Sequence, residues 1–179
     1  RWAKYRVVMS TNTYLKIITA SQVIDGSGAP PIKRGAIVVE GDIVKSIGTD
    51  GSISIPDNMP VIEHRYDDAT ILPGLVDSHA HLVGLGDGRS GDELNELPDE
   101  VLTLQAASNA KKHLYSGVTT VRDCGAKNRT AFMLRQSVNM GIVPSPRLVL
   151  SGRPLSIIGG HLSYFGVQST GKTECRATV

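Results

Sequence analysis

Residues 73–81 read Pro-Gly-Leu-Val-Asp-Ser-His-Ala-His. Leu75 to His79 has the length and apolar start of a buried strand, and Pro73-Gly74 sets its beginning. Residues two apart on a strand share a face. His79 and His81 are therefore expected to project together from the strand's C-terminal end, where the active sites of barrels and open α/β sheets lie. Two neutral imidazoles on one face suit zinc or a similar divalent metal. Asp77 is expected on that face too, holding or orienting a ligand. Alone, a His-x-His pair is a weak signal, and two incidental histidines are the plain alternative. The apolar strand before the pair and the loop Gly84-Leu85-Gly86-Asp87-Gly88 after it favour the metal.

Outward from this strand the pattern alternates. Pro98 to Ser116 reads as a helix, with Pro98, Asp99 and Glu100 at its start and Lys111, Lys112 and His113 near its end. Gly117 is a natural stop. Val118 to Val121 is the next strand, Asn128 to Met140 a second helix stopped by Gly141, and Arg147 to Leu150 a third strand. A further helix can start at Thr173. Strand, helix, strand, helix, strand predicts a parallel sheet, either open and doubly wound or closed as a (β/α)8 barrel. A barrel takes roughly 250 residues, so Leu72 to Val179 holds less than half of one.

Upstream the residues are β-rich. Tyr14 to Thr19 is a strand that Val23-Ile24 can extend, and residues 25–31 are a turn cluster. Ala36 to Glu40 and Ile43 to Ile47 form a hairpin across Gly41-Asp42, and Val61 to Arg65 is a further short strand. The expected organisation is a small β-sandwich-type domain over residues 14–70 and the first three strands of a barrel over 71–179. Residues 1–13 are read as a disordered or non-native start.

Composition narrows the function. Nineteen Lys and Arg face 17 Asp and Glu, for a net charge of +2. No strong basic field argues for nucleic acid or an anionic membrane. Apolar runs are far short of a membrane span. Two cysteines make no disulfide framework, and a reducing, cytoplasmic compartment is the default. A small-molecule substrate is expected, and homo-oligomerisation is left open.

Here the residues carry a resemblance. The order of a β-rich start, "GAIVVEGDIVKSIG", "ILPGLVDSHAHL", "SGVTTVRDCG" and "SPRLVLSGRPLSIIGGH" resembles the amidohydrolase superfamily, in the branch of imidazolonepropionase-like proteins and Xaa-Pro dipeptidases. The likeness spans roughly residues 14–165. It implies a metal-dependent hydrolase of a C–N bond, with a dipeptide or acyl-amino-acid substrate favoured. His79 and His81 match the pair that binds one ion. In the complete enzyme a later lysine bridges to a second ion, and two more histidines and an aspartate finish the site. Zinc is favoured, and metal-activated hydroxide is the implied nucleophile. The lysine, later histidines and aspartate have no counterpart before Val179. No catalytic residue is therefore assigned within this chain, which looks truncated and inactive alone. His161 resembles the family's Gly-Gly-His position and is a candidate for substrate contact, against a loop histidine bonded to backbone.

Other readings stand beside this one. The chain can be a non-catalytic fragment, or a module that needs a partner chain. Gly166 to Thr173 fits the phosphate-binding loop G-x-x-x-x-G-K-[ST], with Leu162 to Phe165 as its strand, Lys172 as counter-charge and Thr173 on magnesium. Arg122 and Asp123 are expected to pair with each other rather than to support the metal-site loop. Cys124 reads as a small buried residue. Lys111-Lys112-His113 reads as a solvated helix end.

Overall fold

The computed structural model describes residues 14–88 and 91–178. The expectation for residues 1–13 lies outside them. The chain divides into two compact units, one ending at Pro73 and the other beginning at Gly74.

The first unit holds one four-stranded sheet among the described residues. Its strands are β1 (Leu15–Val23), β2 (Ile32–Glu40), β3 (Ile43–Thr49) and β4 (Val61–Ile71), in the order β3-β2-β1-β4. The two-residue turn at Gly41-Asp42 forms as the sequence predicts, with Glu40 opposite Ile43 and Gly41 at φ +60°. Leu15 and Ile17 alternate inward and Val38, the cross-strand partner of Ile17, joins them in a small core. β4 is longer than the sequence suggests. It runs parallel to β1 up to Ile71, opposite Val23, and an irregularity between Ala20 and Gln22 absorbs the polar stretch around Asp67-Asp68.

The second unit is mixed α/β. Its elements are β5 (Leu75–Ala80), a short 3-10 turn at Gly91–Glu96, α1 (Asp99–Tyr115), β6 (Val118–Asp123), α2 (Thr130–Asn139), β7 (Arg147–Leu150), β8 (Leu155–Ser156), β9 (Val167–Gln168) and α3 (Lys172–Thr178). Strands β5, β6 and β7 form a parallel sheet in that order. α1 begins directly after Pro98, whose missing N–H costs a helix nothing there. Gly117, at φ +89°, ends it in the left-handed region that disfavours a side chain. Leu102, Ala106 and Ala110 recur at helical spacing and are fully buried against the sheet, with Val121, Leu134 and Phe165 in the same core. The other face of the sheet exposes Val76 and Val149, at 67% and 51%. Gly74 is required at the entry to β5, because a Cβ there would collide with the Thr119 side chain.

Leu162 to Phe165 is not a strand. Leu162 sits at φ +58°, which no strand accommodates, and Phe165 turns into the core instead. The strand that precedes α3 is β9, paired in parallel with β8.

Candidate metal centre

β5 does not keep strict alternation to its end. Asp77 pairs with Val121 and Ala80 with Asp123, so the register slips between them and three residues of β5 run beside two of β6. Val121 and Asp123 are buried on the α1 side of the sheet. Asp77 and Ala80 share that side in this register, and His79 and His81 turn to the opposite one. The two imidazoles come together as the spacing predicts. Their ring centroids are 5.5 Å apart in an edge-on arrangement. Asp77 does not join them on that face, because the slip reverses its side. It acts on His79 through backbone: Asp77 Oδ1 accepts the His79 N–H at 3.1 Å.

Among the described residues one hydrogen bond fixes the His81 ring. Its Nδ1 lies 2.9 Å from the Gly125 carbonyl oxygen. A carbonyl only accepts, so Nδ1 carries the proton and the Nε2 lone pair is left for a Lewis acid. Gly125 is held at φ +154°, and a Cβ there would stand 3.2 Å from Pro154 Cγ. Glycine is what lets the backbone bring this carbonyl to the ring.

Asp123 builds the floor beneath the pair. It is fully buried. It does not pair with Arg122, which points to the exposed face of β6. Adjacent strand residues face opposite ways, so the expected ion pair has no geometry to form. Instead Asp123 Oδ2 accepts the Leu82 N–H at 2.9 Å and Oδ1 accepts the Gly125 N–H at 3.0 Å. Burial pushes its carboxyl above the ordinary range, against the pull of those two amides and of His81. The chain just past His81 is anchored as well, since Leu82 and Val83 are each only 1% exposed.

α1 reaches the same segment from the other side. Asn109 Nδ2 donates to the carbonyls of Leu82 and Gly84 at 2.8 and 2.7 Å. His113 is not a solvated helix end. Its Nδ1–H donates to the Asn109 carbonyl at 2.9 Å, and Nε2 lies 3.4 Å from Asp77 Oδ2. The missed signal was the helix period itself. Asn109 follows Ala106, and His113 follows Ala110, by one helical turn on the buried stripe.

His161 is exposed in the turn between β8 and β9, with no side-chain hydrogen bond among the described residues. Cys124 is half-buried, its Sγ 3.9 Å from the Ser78 carbonyl oxygen. The phosphate-loop match does lead into a helix. However, the Thr170 N–H and hydroxyl both donate to Glu174 Oε2, at 2.6 and 2.8 Å. The chain's own carboxylate occupies donors that an anion would need. Among the described residues no group of three or more His, Cys, Asp or Glu side chains gathers around one point. What the chain offers a metal is the donor chemistry of two imidazoles, one with its tautomer already set.

The amidohydrolase family model matches residues 70–179, and the chain belongs to the amidohydrolase family. An imidazolonepropionase of Salinispora tropica is 43% identical over 65 residues, covering 35% of this chain and 15% of the relative. Among solved structures, a Xaa-Pro dipeptidase with bound methionine is 30% identical with a TM-score of 0.67, over 83% of this chain and 36% of that one. An amidohydrolase is 27% identical at a TM-score of 0.74, over 91% and 42%. The A. niger ochratoxinase shares the fold at a TM-score of 0.75 and 20% identity, over 93% and 43%. The chain thus spans less than half the length of each of these relatives. No helix among the described residues is long and apolar enough to cross a membrane.

Proposed function

We propose that this chain is the N-terminal part of a metal-dependent amidohydrolase that cleaves a C–N bond, with a dipeptide or acyl-amino acid as substrate. The observation that carries the reading is the Nδ1–H of His81 on the Gly125 carbonyl, beside His79, in a chain of this family. The 30% identity to a Xaa-Pro dipeptidase supports the substrate class. The intact fold is a (β/α)8 barrel, in which β5, β6 and β7 are the first three strands and the exposed face carrying Val76 and Val149 is its interior. The β1–β4 sheet belongs to a β-sandwich-type domain before it.

His79 and His81 would hold one divalent ion, zinc being favoured. Such an ion supplies Lewis acidity and makes water nucleophilic near neutral pH. Asp77 holds the backbone of His79, and Asp123 holds the backbone on either side of the His81–Gly125 contact. His161 contacts substrate. The groups that complete proton transfer are not assigned to this chain.

The test is hydrolysis by the intact protein of a panel of Xaa-Pro dipeptides and N-acyl amino acids, before and after chelation. His81→Ala is expected to lower kcat/KM by about 100-fold or more. Hydrolysis that survives both chelation and His81→Ala would refute the reading.

A further inference from the structure

We propose that Asn109 and His113, two residues of α1 one helical turn apart, are positioning residues for the His79–His81 pair. The inference rests on the reading of that pair as metal ligands. It goes beyond it by assigning the clamp to a helix that carries no ligand.

Each ligand is reached through a short chain of contacts. On one side, His113 Nδ1–H is held by the Asn109 carbonyl at 2.9 Å, which sets the ring, and when the ring carries its second proton Nε2 forms an ion pair with Asp77 Oδ2 at 3.4 Å. The other oxygen of Asp77 accepts the His79 N–H at 3.1 Å. On the other side, the Asn109 amide donates to the Leu82 and Gly84 carbonyls at 2.8 and 2.7 Å. The Leu82 N–H is held in turn by Asp123. The residue after His81 is therefore gripped at both its N–H and its C=O. Gln105 Nε2 lies 3.4 Å from Asn109 Oδ1, which orients the amide so that its nitrogen faces the two carbonyls.

This arrangement runs against local preference. Asn and His are weaker helix formers than Ala. They lie beside the buried stripe of Leu102, Ala106 and Ala110, where apolar residues would pack at no polar cost. Two carbonyls converging on one amide fix the direction of the loop after His81, which packing of Leu82 alone does not. Partners of this kind orient ligands and commonly change metal affinity by 10- to 100-fold, about the range expected here.

The experiment uses the intact protein with His113→Ala, Asn109→Ala and His113→Gln. Two readouts are taken: cobalt(II) affinity with its visible spectrum, and amide hydrogen exchange at His79 and Leu82 in the metal-free protein. His113→Ala is expected to speed exchange at His79, and Asn109→Ala at Leu82. Both should weaken cobalt binding about 10-fold and alter the cobalt bands. The Gln amide N–H can donate to Asp77 in place of the imidazolium, so His113→Gln should restore most of the affinity. Where an alanine variant fails to fold, His113→Phe and Asn109→Leu keep the bulk, remove the bonds and carry the same expectation. Unchanged exchange together with unchanged cobalt affinity overturns the clamp. A wild-type protein that binds no cobalt overturns the ligand reading and with it the positioning role. The exchange data then separately show whether the contacts hold the backbone.

Discussion

The Nδ1 of His81 lies 2.9 Å from the carbonyl oxygen of Gly125, 44 residues further along the chain. This bond joins the end of β5 to the loop after β6, and it decides which nitrogen of the ring is a donor. Neutral His81 should therefore be the Nδ1–H tautomer before any metal is added. Nitrogen-15 NMR of the metal-free protein checks this. A predominant Nε2–H tautomer would remove the physical basis for His81 as an Nε2 ligand.

Asp123 should matter more to the fold than its charge suggests. Its two oxygens take the N–H groups of Leu82 and Gly125 inside the core. Removing the acceptor leaves buried donors unpaired, at about 1–3 kcal/mol each. Asp123→Ala is expected to cost about 3 kcal/mol of unfolding free energy, and Asp123→Asn less, since one acceptor oxygen remains. Denaturant unfolding of the intact protein measures both. A loss within experimental error for the alanine variant would contradict the assignment.

The start of α3 should be acid-sensitive. Hydrogen bonds from the Thr170 backbone and hydroxyl hold the Glu174 carboxyl below its ordinary value of 4.5. A carboxyl depressed on folding stabilises above its unfolded pKa, and that contribution is lost as pH falls through the lower, folded value. The Thr170 amide resonance should follow this titration below pH 4.5, and Glu174→Gln should abolish it. ATP should not shift the same resonance near neutral pH, because Glu174 already holds the Thr170 donors. An ATP-dependent shift lost in Lys172→Ala would revive the phosphate-loop reading.

His161 stands exposed between β8 and β9, where a side chain can meet a ligand without rearranging the core. His161→Ala in the intact enzyme is expected to raise KM or lower kcat several-fold, with the thermal midpoint unchanged. Kinetics identical to wild type would end the proposal that His161 contacts substrate.

The parallel sheet and its helices were legible because their signals are local. Short apolar runs between turn and helix signals marked β5 to β7, and Gly117 and Gly141, at φ +89° and +73°, stopped the helices where their sequence positions suggest. The facing of His79 and His81 followed from their spacing. The side taken by Asp77 did not, because the slip between Asp77 and Ala80 depends on pairing with β6 and leaves no trace in residues 75–81. The length of β4 was hidden in the same way, since the irregularity that absorbs Asp67-Asp68 is set by its partner strand. His113 was hidden by its neighbours. Beside Lys111 and Lys112 it looks like part of a basic helix end, although counting turns from Ala106 and Ala110 puts Asn109 and His113 next to the buried face.

The central claim is that His79 and His81 bind metal. The most direct measurement is the metal content of the purified intact protein by elemental analysis, compared with the His79→Ala/His81→Ala variant. The account predicts divalent metal in the wild type and one equivalent less in a variant that remains folded. Equal metal content in the two proteins, or a wild type that neither carries nor takes up a divalent ion, would contradict it.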